Sequence, residues 1–149
     1  MNAARRTYTS GQVARALELP SRRVEGWTEA GLIKPRISKG ASRHGDRRRF
    51  AWGDIIVCGV LAQVQRILGG HLRPGAIARL VVKEFDTRSA EFAVLGDPAR
   101  PALLLIESVD GKPRATVSFN VHAHQLDAAI VVNLTRLGLK LERNLGHER

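Results

Sequence analysis

The stretch from Arg22 to Asp54 limits the possible folds of this chain more than any other part of its sequence. It opens as a short helical segment, which the hydroxyl of Ser21 is expected to cap. Gly31 suits the left-handed conformation that ends a helix, and Pro35 prevents the helix from resuming. A run of basic residues follows and closes on Phe50. A short helix followed by a cationic two-stranded flap is the layout of a winged helix.

The positive charge of the chain is concentrated in its first part. The 149 residues carry a net charge of +10 and are 44% hydrophobic, which suits one compact domain or two small ones. Residues 1–83 contain 16 Lys and Arg against 5 Asp and Glu, a balance of +11, whereas residues 84–149 contain 8 against 9, a balance of −1. This asymmetry predicts a polyanionic partner for the first part, the alternative being a merely soluble cationic surface.

Several classes of protein are disfavoured by what the sequence contains. Cys58 is the single cysteine, so no internal disulfide can form, and we expect the protein to reside in a reducing compartment. Cys58 itself is interpreted as a small core residue. The polar start Met1–Ser10 does not resemble a signal peptide, and the longest apolar run, Ile55–Ala62, is too short to span a bilayer. No nucleophile–base pair, Walker loop or dinucleotide fingerprint is found. We therefore expect a cytoplasmic protein that is neither an enzyme nor bound to a membrane, cofactor or metal.

Four helices are expected before residue 86. Thr9 and Gln12 form a capping-box pattern that opens the first helix, and a tight turn leads to the second, about Arg22–Ala30, making a helix-turn-helix. Trp52–Leu68 is apolar around much of its circumference, which predicts a central third helix. Pro74 suits the first turn of a fourth helix, about Pro74–Glu84.

Residues across these elements resemble the MerR-type transcription regulators, especially the branch with Trp where most members have Tyr. The resemblance covers about residues 7–83. It rests on Tyr8-Thr9, Gln12-Val13-Ala14, Trp27, Gly31-Leu32-Ile33, Pro35, Arg48-x-Phe50 and Asp54-Ile55.

The resemblance implies that the second helix lies in the major groove and that the wing, about Arg36–Phe50, follows the phosphates. Arg22 is then expected at a phosphate, and Arg23 at either a phosphate or a base. Trp27 is interpreted as a core residue, the alternative being an N–H donor to phosphate. The predicted DNA-binding residues are Thr9, Arg22, Arg23, Trp27, Lys34, Arg36, Lys39, Arg43, His44, Arg47, Arg48 and Arg49.

Three residues leave alternatives open. Glu25 is expected either to repel phosphate or to accept a hydrogen bond from cytosine N4. Gly26 costs about 1 kcal/mol against Ala in a helix, and either allows close approach to DNA or is simply tolerated. His44, at the predicted wing tip, is interpreted as an exposed loop residue, with a DNA contact as the alternative.

The remaining residues, 86–149, are expected to form a second small unit beside the winged-helix unit of residues 7–85. Phe92–Leu95, Leu103–Ser108 and Ala115–Val121 predict a three-stranded antiparallel sheet with Leu103–Ser108 in the middle. Asp110-Gly111 predicts a tight hairpin turn. The fold class is therefore α+β.

A helix is predicted over Gln125–Leu145 because leucines recur there at spacings of three and four. Its stripe is expected to pack on the sheet or on the same helix of a second subunit. MerR-type regulators dimerise through a C-terminal helix, so the resemblance implies an interface formed by Leu126, Ile130, Leu134, Leu137, Leu141 and Leu145.

These expectations converge on a sequence-specific, homodimeric DNA-binding regulator of transcription that recognises an inverted repeat in double-stranded DNA. The resemblance adds RNA polymerase as a candidate partner. The alternative hypothesis is an accessory DNA-binding protein, excisionase-like or an antitoxin, whose rear half binds a protein partner.

Overall fold

A computed structural model describes residues 6–38, 47–68, 79–83, 97–119 and 129–146, and combines helices with two small sheets. The elements are α1 (Ser10–Ala16), α2 (Ser21–Glu29), β1 (Arg36–Ser38), β2 (Arg47–Arg49), α3 (Trp52–Leu68), β3 (Leu103–Val109), β4 (Lys112–Ser118), β5 (Ala129–Asn133) and α4 (Leu134–Asn144). Residues 79–83 are also helical.

Helix α1 begins at the predicted capping box. The Thr9 hydroxyl accepts the Gln12 N–H at 3.3 Å, and the Gln12 side chain accepts the Thr9 N–H at 2.9 Å. Both of these otherwise unsatisfied donors at the helix start are thus paired. The prediction for Ser21 was wrong, because Ser21 is the first residue of α2 and Pro20 holds the capping position without a side-chain hydrogen bond.

The end of α2 was predicted correctly. Gly31 has a φ of +72°, and its N–H bonds the Thr28 carbonyl at 3.0 Å while the Leu32 N–H reaches the Trp27 carbonyl at 3.0 Å. This pair of bonds satisfies carbonyls that a helix end would otherwise leave free. The chain then turns away towards β1, with Ile33 buried.

Helix α3 has the predicted bounds and runs through the core. Ile55, Cys58 and Val60 are fully buried, whereas Ile67 near the end is exposed. Ala51 precedes the helix and cannot cap it, but the Asp54 carboxylate accepts the Ala51 N–H at 2.8 Å. This is one of the two hydrogen bonds of a capping box, the one in which a side chain in the first turn accepts the N–H of the capping residue.

The rear sheet is three-stranded and antiparallel in the order β4-β3-β5, so β3 is the middle strand as predicted. Asp110 and Gly111, with φ of 52° and 75°, form the two-residue loop between β3 and β4. Positive φ at both positions matches the right-handed twist of a hairpin. Val117 is buried within β4, whereas Phe119 follows the strand and is 53% exposed.

The helix predicted over Gln125–Leu145 is wrong in its first part. Ala129–Asn133 forms β5, which pairs with β3 in the register Leu104↔Val132 and Ile106↔Ile130. The helix starts only at Leu134, where the Asn133 side chain caps it by accepting the Arg136 N–H at 2.9 Å. Pairing with the middle strand therefore prevails over helical periodicity here.

The start of α4 is held against the chain entering β3. The Leu134 N–H bonds the Ala102 carbonyl at 2.8 Å, and the Thr135 hydroxyl accepts the Ala102 N–H at 2.9 Å. Thr135 is buried, so this bond satisfies a backbone group that water cannot reach.

Helix α4 packs on the front helices. Leu134, Leu137 and Leu141 are buried in a hydrophobic core whose members come from both parts of the chain. The Asn144 side chain donates to the Ala16 carbonyl at 2.8 Å. The leucine stripe thus covers the chain's own α1 and α3.

Other predictions lie outside the described residues. They are the strand Phe92–Leu95, most of the fourth helix, and the residues Lys39, Arg43, His44 and Leu126.

Candidate nucleic-acid interface

Helix α2 has one buried side and one exposed side. Val24 and Trp27 are buried three residues apart, whereas Arg22, Glu25 and Gly26 are exposed. Trp27 retains only 5% of its accessible surface, in line with the interpretation as a core residue. The exposed side is therefore free to meet a ligand without disturbing the core.

The two arginines at the start of α2 have different surroundings. The Arg23 guanidinium donates a short hydrogen bond to the Gln65 side chain of α3. The Arg22 side chain makes no hydrogen bond or ion pair within the described part of the chain. Arg23 is thus partly held by the protein, while Arg22 is available to an external anion.

The first turn of α2 is open. No side chain caps it, and Pro20, Ser21, Arg22, Arg23, Gly26 and Trp27 line an open depression beside it. Unpaired N–H groups at a helix start carry partial positive charge and attract anions. The two arginines increase the positive potential of this depression.

The strands β1 and β2 form an arginine ribbon, a name used here for Arg36–Ser38 together with Arg47–Arg49. The register sets Arg36 opposite Arg49, Ile37 opposite Arg48 and Ser38 opposite Arg47, so one of the three pairs joins two arginines. Cross-strand neighbours of like charge destabilise a ribbon. Arg49 is half-exposed, so an external anion that reaches it would relieve the repulsion with Arg36. Arg48 is exposed and adds a further positive charge to the ribbon.

The ribbon is fixed to the start of α1. Tyr8 and Phe50 exchange both backbone hydrogen bonds, at 2.9 and 2.8 Å, and both side chains are buried. Burial raises the pKa of the Tyr8 phenol, which Arg6 opposes and Glu142 reinforces. The phenol therefore stays neutral near pH 7, and the anchor is independent of pH in that range.

Two other predicted contact residues lie nearby. Lys34 is exposed between α2 and β1. The Thr9 hydroxyl already serves the α1 cap, so a DNA contact there would compete with that bond.

Nothing in the described ranges resembles a metal or redox centre. Burial raises the pKa of the Cys58 thiol, so the thiol stays protonated and unreactive. No three His, Cys, Asp or Glu side chains in those ranges lie close enough together to hold a metal ion. Within the same ranges no helix has the length and apolar character needed to cross a bilayer.

Gln65 was missed by sequence reasoning. It joins Arg23 across 42 positions in the chain, and no local pattern marks it. Gln65 is one of several polar residues of α3, so its residue type alone did not single it out.

No family model matches the chain, and no curated protein matches it.

Proposed function

We propose that this protein is a sequence-specific DNA-binding regulator of transcription that uses α1 and α2 as a helix-turn-helix and the arginine ribbon as a wing. The observation that carries the proposal is the ribbon itself. It carries four arginines in two short strands, its register sets Arg36 opposite Arg49, and the Tyr8–Phe50 bridge fixes it beside α1. Phosphates on DNA would neutralise Arg48 and Arg49, neither of which forms an ion pair within the described residues.

In this proposal α2 enters the major groove. Arg22 contacts a phosphate, and the open first turn of α2 adds backbone donors to the same anionic strand. Arg23 is directed by its bond to Gln65, which limits how far it reaches towards a base. Glu25 and Gly26 then face the base edges, where a carboxylate can accept from cytosine N4.

The homodimer and the inverted repeat belong to the same proposal, but the expected interface needs revision. Leu134, Leu137 and Leu141 fill the core of the single chain. A dimer would therefore have to use another surface. The same burial leaves these three leucines unavailable to a protein partner.

The test is a filter-binding titration with DNA selected from a randomised duplex pool, repeated at several salt concentrations. We expect affinity to fall steeply with salt, with a logarithmic slope of about −0.9 per neutralised phosphate. Arg22→Ala should weaken binding to all sequences and reduce the slope by about 1. Arg114→Ala removes an exposed arginine from β4 and is the matched control. Binding with no salt dependence and no sequence preference would refute the proposal.

A further inference from the structure

A cleft beside the last turns of α3 has the size and lining of a small-molecule site. Its volume is about 340 Å³, and its walls come from α3, β5 and α4. That size is at the lower end of the range for ligand sites in proteins, about 300–1,000 Å³. None of its lining residues belongs to the proposed DNA-binding surface.

One wall of the cleft is apolar and exposed. Ile67 is 56% and Val131 43% exposed, and both line the cleft together with the buried Leu137. Among the described residues, only Phe119 is a further large hydrophobic side chain with comparable exposure. The grouping of two such residues in one cleft favours contact with an apolar molecule.

The other wall is cationic. Arg136 and Lys140 are four positions apart on α4, so their side chains lie on one face of the helix and repel each other. Arg136 also stands in the first turn of α4, where the helix dipole disfavours a cation. Lys140 is partly compensated by Glu18 at 3.7 Å, whereas Arg136 has no partner within the described residues.

Gln63 completes the polar side. It is half-buried in α3, lines the cleft, and forms no side-chain hydrogen bond within the described residues. Its amide can therefore donate to an oxygen atom that also meets Arg136.

We propose that this cleft binds a small organic anion whose apolar body packs on Ile67 and Val131 while its acidic group meets Arg136. The negative charge of the anion would reduce the repulsion between Arg136 and Lys140. It would also interact favourably with the positive end of the α4 dipole. This inference stands independently of the proposed function, because the cleft and the arginine ribbon share no residue.

The test uses 1-anilinonaphthalene-8-sulfonate, an aromatic anion that fluoresces in apolar surroundings, with the uncharged N-phenyl-1-naphthylamine as the comparison probe. The full-length protein should bind one sulfonate probe per chain, saturably, and about tenfold more tightly than the uncharged probe. Arg136→Ala should lower the affinity for the sulfonate about tenfold and leave the uncharged probe unaffected. Arg143→Ala, which removes an exposed arginine outside the cleft from the same helix, should change neither.

Location is checked by amide chemical shifts during the same titration. Shifts concentrated at Val131 and Arg136 support the site, and Ile67→Ser should weaken both probes. All substituted side chains are exposed, so the variants are expected to fold, which circular dichroism verifies. Equal affinity of the Arg136→Ala and Arg143→Ala variants, non-saturable binding, or shifts confined to other regions would overturn the inference.

Discussion

The closest approach between α3 and α4 gives the sharpest prediction about the fold. A Cβ atom added at Gly59 would lie 3.0 and 3.1 Å from the two Leu137 methyl carbons and 3.3 Å from Leu137 Cγ. A Cβ added at Gly138 would meet only Ile56 Cδ1, at 3.9 Å, which is ordinary contact. The two glycines lie on opposite sides of one helix contact and form a matched pair.

The expected magnitudes follow from two opposing effects. Replacing a helical Gly by Ala stabilises by about 1 kcal/mol because of helix propensity. At Gly59 this gain is opposed by overpacking, which costs about 1–3 kcal/mol. Leu137 is buried and its branch carbon is itself too close, so moving the methyl groups alone cannot relieve the contact. We expect Gly138→Ala to stabilise by about 1 kcal/mol and Gly59→Ala to destabilise by up to about 2 kcal/mol.

The assay is urea unfolding followed by circular dichroism, with equal slopes required for all variants. A third variant, Gly59→Ala combined with Leu137→Val, shortens the side chain that the new methyl group meets. The double variant should be more stable than the sum of its single changes predicts. Equal stabilisation by Gly59→Ala and Gly138→Ala would refute the packing of α4 on α3.

Three further substitutions test other parts of the account. Gly26→Ala adds a Cβ that meets nothing within 4 Å, so thermal unfolding should show stabilisation by about 1 kcal/mol; unchanged DNA affinity would contradict a close approach of α2 to DNA. Thr135→Val leaves the Ala102 N–H without its acceptor and should cost about 1–3 kcal/mol in urea unfolding, whereas no loss would refute that bond. Thr9→Ala removes the α1 cap and should cost about 1 kcal/mol, and Thr9→Ser should restore most of it if the hydroxyl is responsible.

The sequence predicted the elements whose signals are local. Thr9 with Gln12 opened α1, Gly31 closed α2, and Asp110-Gly111 formed the hairpin turn. Each of these depends on hydrogen bonds or backbone angles within a few residues, so single residue types determine the outcome.

The prediction of a helix over Ala129–Asn133 was wrong because the structure of that segment depends on a strand far away in the sequence. Ala129–Asn133 continues the helical spacing of apolar residues that the leucines of α4 show. Its β-branched residues nevertheless pair with β3, whose partner residues lie more than twenty positions earlier in the chain. Residue periodicity cannot show which strand is available for pairing. For the same reason the sequence left the leucine stripe with two alternatives, the sheet or a second subunit, whereas Leu134, Leu137 and Leu141 pack in a core shared with α1 and α3 of the same chain.

The DNA contacts assigned to the candidate site stay a prediction, and only its backbone can be compared with the sequence. The basic run that closes on Phe50 predicted a two-stranded flap, and β1 and β2 form such a ribbon. The bond between Arg23 and Gln65 was not predictable, because it depends on how α2 packs against α3.

The central claim is that the arginine ribbon binds duplex DNA. Its most direct test compares the wild-type protein with a variant in which Arg47, Arg48 and Arg49 are all replaced by alanine. Affinity for a selected duplex is measured from low to high salt, with circular dichroism as the check on folding. We predict a large loss of affinity and a salt slope that is shallower by about 0.9 for each phosphate contact removed. A folded variant that binds the duplex as tightly as the wild type, with the same slope, would contradict the account.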